Sequence, residues 1–259
     1  MSEKQRAVYR VEAIDRAINI LTAFSHTDPE LTLSEIVEKT GLAKATAYRM
    51  LSNLCARHMC QLDEKTGRYS LGYEVLKMAD IRRQQLNFRT LALPAMQELR
   101  DVSNETIVLS VRDGDYRVNV DYVESRDPLR RVPEPGRRAP LYSGAASKAF
   151  LAAMSEKEVE RYIARTKLEK RGPNTITDPK ILRRTIAKNR EDGFSESRGE
   201  QTVQGNAIAA PVFDSSGDAA FVISISYVDS RFTKAIRKKS IETLLRCSRE
   251  LSRQLGARL

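Results

Sequence analysis

Cysteine and histidine are scarce in this chain, and their scarcity narrows its chemistry. The three cysteines, Cys55, Cys60 and Cys247, are odd in number and form no C-x-x-C pair, which argues against a disulfide framework or a zinc cluster. Only His26 and His58 could join them as ligands, so no transition-metal site is expected. Long apolar runs are missing too. None approaches the roughly 18 residues of a membrane helix, and the opening MSEKQRAVYRVEA lacks the apolar stretch of a signal peptide. A cytoplasmic protein without a membrane partner is the expectation. Catalytic fingerprints are equally wanting: there is no G-x-G-x-x-G, no P-loop and no H-E-x-x-H, and Ser147-Lys148 is an adjacency rather than the S-x-x-K spacing of a nucleophile pair. No two carboxylates stand out as acid and base. Hence no catalytic residue, metal or cofactor is expected, with an enzyme acting on a small ligand as the alternative from another class. A turnover assay separates the two, because a sensor binds without consuming.

What is present suits two globular domains: 259 residues, 41% of them hydrophobic and 30% charged. The net charge of +10 suggests nucleic acid, yet its distribution does not. Residues 1–70 hold ten basic and nine acidic side chains, whereas residues 231–259 hold nine and two. In that last segment Ile241, Leu244, Leu245, Leu251 and Leu255 recur at helical spacing, giving an amphipathic helix with a basic outer face. It could touch lipid; a solvated face adding long-range attraction to DNA is the more economical reading.

The stretch GLAKATAYRMLSNL, residues 41–54, carries the DNA argument. As a helix starting near Ala43, it puts Ala47, Met50, Leu51 and Leu54 on a core stripe. Ala45, Arg49, Ser52 and Ala56 face the other way, with Tyr48 on one shoulder and Thr46 and Asn53 on the other. That face has small and donor residues and no carboxylate, as close approach to an anion requires, although an ordinary surface helix would also satisfy the pattern. Upstream, Thr32 and Glu35 make a capping box for a short helix whose Leu33, Ile36 and Val37 point inward and which Gly41 ends. Two short helices joined through a glycine form a helix-turn-helix. Before them a third helix sets Ile14, Ile18, Leu21 and Phe24 on one face, expected to pack on the other two. CQLDEKTGRYSLG then reads as a hairpin around Lys65-Thr66-Gly67-Arg68, a basic-tipped wing.

GLAKATAYRMLSNL followed by the hairpin ending YSLGYEVLKMA resembles the amino-terminal domain of the IclR family of bacterial transcription regulators. The resemblance continues through RRVPEPGRRAPLYSGAASKAFLA and GNAIAAPVFDSSGDAAFVISIS, and so covers nearly the whole chain. It implies a winged helix-turn-helix over residues 1–72, a linker helix over 73–90 and a GAF-like effector-binding domain over 91–259, an α+β chain overall. Within this pattern Tyr48 and Arg49 are expected to read base edges, with Lys44, Ala45, Thr46, Ser52, Thr32, Ser34 and the wing residues Lys65 and Arg68 completing the DNA-binding set. His58 stands where relatives usually have glycine: either a tolerated surface change or an altered handover from helix to wing.

The linker reads as helical throughout, interrupted near Pro94. Beyond it, a hairpin around Asp113-Gly114, helices opening at Ser155 and Asp178, and two strands joined by DSSGD describe one sheet with helices. Ser143, Gly144, Ala145 and Ala146 open a helix, where backbone N–H groups attract anions. Their small side chains either let a ligand approach or allow tight helix packing. The family resemblance implies that this loop contacts effector together with Ser224 and Ser226, which alternation places on one face. The pattern departs from the family in SESRGEQTVQGNA. Glu200 keeps an acidic character there, Arg198 replaces an acidic residue, and Asn206-Ala207 replace an Arg-Cys type pair. Arg198 facing the pocket would favour an acid; facing solvent, it would mean little.

The expectation is a ligand-responsive regulator of the IclR type. It would bind a near-palindromic double-stranded DNA operator as a homodimer or a dimer of dimers, with Val11, Ile14 and Leu76 as candidate dimer surface, and sense a small organic acid at Ser143, Gly144, Ala145, Ala146, Arg198, Glu200, Ala207, Ser224 and Ser226. The competing reading is a DNA-binding regulator whose second domain only oligomerises.

Overall fold

A computed structural model describes residues 11–25, 27–84, 88–228 and 230–257. His26 and most of the leading segment lie outside them. The chain divides into two compact units, Met1–Leu86 and Asn87–Leu259.

In the first unit α1 (Glu12–Leu21), β1 (Glu30–Thr32), α2 (Leu33–Thr40), α3 (Lys44–Ala56), β2 (Cys60–Asp63), β3 (Arg68–Leu71) and α4 (Tyr73–Gln84) follow in order. The strands form an antiparallel sheet of order β1-β3-β2. The capping box forms as expected: Glu35 N–H donates to Thr32 Oγ1, and Thr32 N–H to Glu35 Oε2 at 2.7 Å. Gly41 then turns the chain at φ 68°, a region glycine enters without a Cβ clash. Ile20, Ile36, Leu51, Cys60 and Tyr69 close the core. The face expected of α1 is corrected here. Ile20, not Ile14 or Ile18, is its fully buried residue, and Ile14 and Ile18 are exposed at 57% and 50%. With the helix ending at Leu21, Phe24 reaches the core from the loop beyond.

The second unit contains α5 (Phe88–Ser103), β4 (Thr106–Asp113), β5 (Tyr116–Val123), β6 (Arg138–Pro140), α6 (Ala145–Ala153), α7 (Glu156–Arg165), α8 (Pro179–Asp192), β7 (Ser195–Ser197), β8 (Asn206–Phe213), β9 (Ala219–Tyr227) and α9 (Lys234–Gln254). Pro94 lies inside α5 without ending it, because its exposed position leaves the freed carbonyl of the preceding turn open to water. The expected interruption at Pro94 is therefore not seen. The described strands make one antiparallel sheet of order β6-β5-β4-β9-β8-β7.

Strand alternation sorts this sheet into two faces. Ile107, Leu109, Ile208, Ala210, Phe221, Ile223 and Ile225 pack with Met96 and Leu99 of α5 and Leu244 and Leu251 of α9. Ala209 and Val222 face the opposite side, against α6, α7 and α8. Towards the β4–β5 end of that second side, apolar residues give way to Ser110, Asn119, Arg117, Ser224 and Ser226. A polar cleft opens there.

Candidate DNA-binding face and effector cleft

The exposed side of α3 carries Lys44, Ala45, Tyr48, Arg49, Ser52 and Asn53, with Thr46 half-buried, while Ala47 and Leu51 sit in the core. Two polar side chains are turned back onto the helix: Ser52 Oγ donates to the Tyr48 carbonyl and Asn53 Nδ2 to the Arg49 carbonyl, both at 2.9 Å. Lys44, Tyr48 and Arg49 stay free to reach outward. Lys65 lies in the tight turn of the wing, where Asp63 Oδ1 accepts from its N–H at 2.8 Å. Arg68 is not in that turn. It begins β3, donates to the Glu30 carbonyl at 3.1 Å and lies 3.5 Å from the Glu35 carboxylate, so it braces the small sheet. Thr32 is likewise committed, its hydroxyl donating to Glu35 at 2.9 Å; Ser34 beside it is exposed.

His58 closes α3 in the left-handed region, φ 55°. Its N–H donates to the Cys55 carbonyl and that of Met59 to Leu54, the paired bonds of a Schellman motif. The His58 carbonyl accepts from Glu74 N–H at 3.1 Å and packs so closely on Gly72 that a Cβ there would stand 2.1 Å away. The handover from recognition helix to wing to α4 thus runs through one strained residue.

In the second unit a cavity of about 110 Å³ is lined by Gly144, Ala145, Ala146, Ala207, Ser224 and Ser226, six of the residues expected at the effector site. Three expected residues do not line it. Ser143 is fully buried, its hydroxyl donating to the Glu200 carbonyl at 3.1 Å. Glu200 is buried as well, ion-paired with Lys148 and accepting from Gly144 N–H at 2.9 Å. Arg198 faces solvent and lies 3.4 Å from Glu196. The anion-binding role of the α6 start also needs correction. Gly144 N–H is taken by Glu200 and Ala145 N–H by Ser197 Oγ at 2.9 Å, so the protein's own groups fill part of the positive end of the helix.

The positive charge of the cleft comes from residues the sequence reading passes over: Arg117 on β5 and Arg131 and Arg137 on the segment between β5 and β6. No carboxylate lines the cavity with them. Arg117 donates to Asn119 Oδ1 and, at 3.4 Å, to Gln201 Oε1, both neutral acceptors. Burial, and then the Arg137 charge, bring its guanidinium down to about 10, still cationic at neutral pH. Arg131 is lowered by the same two causes and donates to the Gln204 carbonyl at 2.8 Å. Two signals could have pointed here. Arg117 and Asn119, two apart, put polar groups on one face of a strand, and RRVPEPGRR concentrates arginine beside a single glutamate.

Residues 82–253 match the family described as bacterial transcriptional regulator IclR C-terminal, and residues 13–59 match the IclR helix-turn-helix domain. The chain belongs to the IclR family. Among its relatives, the HTH-type transcriptional regulator KipR of Bacillus subtilis is 33% identical over 95% of this chain and 97% of its own. The IclR structure from Thermotoga maritima superposes with a TM-score of 0.81 at 28% identity, covering 95% of this chain and all of that one. An IclR homologue from Microbacterium hydrocarbonoxydans, complexed with 4-hydroxybenzoate, has the same fold at 20% identity, with a TM-score of 0.78 and 95% and 99% of the two chains covered. This IclR-type protein is a DNA-binding transcription regulator with an effector domain, and not an enzyme. Among its described residues no helix is long and apolar enough to cross a membrane.

Proposed function

We propose that this IclR-type regulator senses a small organic acid in the cleft of its second unit and binds a near-palindromic operator as a dimer or a dimer of dimers. The observation that carries the acid is Arg117, a guanidinium in a cavity whose lining holds no carboxylate. A half-buried cation left to neutral acceptors favours an anionic ligand. A protein of the same fold was solved with 4-hydroxybenzoate, itself an acid. The Ser226 hydroxyl adds a donor on the sheet side of the cavity, while that of Ser224 donates to the Val108 carbonyl at 3.4 Å.

On the DNA side, Tyr48 and Arg49 read base edges while Lys44, Thr46 and Lys65 hold phosphates, and Ser52, whose hydroxyl donates to the Tyr48 carbonyl, makes no phosphate contact in that arrangement. One short helix reads too few base pairs for a unique address, so two copies act together. Val11, Ile14 and Ile18 near α1 and Leu76, Met78 and Ile81 on α4 are each at least half exposed, and they supply the apolar surface for that pairing. Arg49→Ala is expected to cost about 1 to 3 kcal/mol and relax specificity, whereas Lys65→Ala weakens all sequences alike and lowers the salt slope by about 1. Operator titrations at several salt concentrations check both. Unchanged affinity in Arg49→Ala would remove it from base reading.

A second unit that only oligomerises would give the same DNA binding without ligand dependence. A ligand shifts operator affinity only by its differential affinity for two conformations, and coupling of about 1 to 3 kcal/mol corresponds to roughly 5- to 150-fold. Operator binding with and without candidate acids, in the native chain and in Arg117→Gln, distinguishes the two. Acid dependence that is lost in the variant supports sensing; the absence of any acid dependence supports oligomerisation alone.

A further inference from the structure

We infer that the effector is a dicarboxylate, a short carbon chain with two negative charges shared among Arg117, Arg131 and Arg137. The inference deepens the acid-sensing proposal and rests on it. Several other arginines of this unit are neutralised: Arg138 by Asp113, Arg231 by Glu105 and Asp127, Arg237 by Glu196. Arg117, Arg131 and Arg137 make no ion pair among the described residues, and all three line one cavity. Their hydrogen bonds within the protein go to an asparagine, a glutamine and a backbone carbonyl. The Arg137 charge also acts on both of the others, so the cleft brings mutually repelling cations together.

Charge arithmetic favours a dianion. The lining carries three positive charges and no negative one, so a monocarboxylate leaves two uncompensated and a dicarboxylate leaves one. Each guanidinium offers a planar fork matched to a carboxylate. The space suits a small chain: about 110 Å³, against roughly 150 Å³ for an engineered cavity that holds benzene, points to about three to five carbons. Val108, Val132, Pro133 and Ala145 give the methylenes apolar contact. A phosphate group is the less suitable dianion. It is typically cradled by free N–H groups at a helix start, and here Gly144 and Ala145 N–H are already engaged by Glu200 and Ser197.

The test is calorimetry on the full chain with malonate, succinate, glutarate, butyrate and inorganic phosphate. At least one dicarboxylate should bind tenfold or more tightly than butyrate, and phosphate should not displace it. Arg137→Gln should bring that dicarboxylate to within threefold of butyrate and raise the melting temperature of the ligand-free protein by relieving repulsion. Arg131→Gln provides the same readout at a second position. Butyrate binding as tightly as every dicarboxylate overturns the inference and leaves acid sensing standing; phosphate winning the competition also overturns it. Failure of all four acids to bind the native chain overturns both.

Discussion

Replacing His58 with glycine should stabilise the amino-terminal unit. His58 occupies the left-handed region at φ 55°, which costs a residue with a Cβ about 1 to 2 kcal/mol. Glycine removes that strain but frees the unfolded chain, which returns about 0.5 to 1 kcal/mol. Little else changes. The bonds from His58 N–H to Cys55 and from Glu74 N–H to the His58 carbonyl are backbone bonds that glycine keeps. The exposed imidazole makes no hydrogen bond among the described residues. The net gain is about 0.5 to 1 kcal/mol, or about 2 to 8 °C for a unit of this size. Scanning calorimetry of the full chain reads it as an upward shift of the amino-terminal transition. His58→Ala is the control: it removes the imidazole, keeps the Cβ and should give no gain. Equal melting temperatures for the glycine and alanine variants would refute the reasoning, since the two differ in backbone freedom at the strained position.

Lys148→Met should cost about 3 to 5 kcal/mol in urea unfolding, because it leaves Glu200 buried without its cation. The double variant Lys148→Met with Glu200→Gln should recover part of that loss, and a single-variant cost under about 1 kcal/mol would deny the pair its role in holding α6 to the following strands. Burial raises the Glu196 carboxyl, but hydrogen bonds from Arg237 and Tyr227 outweigh it and hold the group below its ordinary value. Stability from this group is therefore present above the unfolded carboxylate range and lost as pH falls through the folded value. Glu196→Gln should lower stability at neutral pH by about 1 to 2 kcal/mol and flatten the acid limb; an unchanged acid limb would exclude the contribution.

Local chemistry was legible wherever its cause lies within a few residues. The capping box at Thr32, the helices opening at Ser155 and Asp178, and the helix end at Gly41 all form as the sequence expects. Alternation likewise placed Ser224 and Ser226 on one face of β9, and both line the cleft. Pro94 misled, because the helix runs through it at an exposed position where water can satisfy the freed carbonyl. Ile14 and Ile18 misled for a related reason. Apolar spacing identifies a stripe, but it does not say whether that stripe meets the core or is left exposed.

The sequence by itself determined the helix of residues 44–56 and its outward residues, because periodicity and capping act over one or two turns, while the types of the two domains came from the family resemblance. Only the tertiary structure decided which charges remain unpaired. Glu200 and Arg198 are two residues apart, yet one is buried against Lys148 and the other faces solvent beside Glu196. Arg117 and Arg131 come from separate segments, and the curled sheet brings them to one cavity. Electrostatic compensation depends on distances through space, and residues far apart in the chain set those distances.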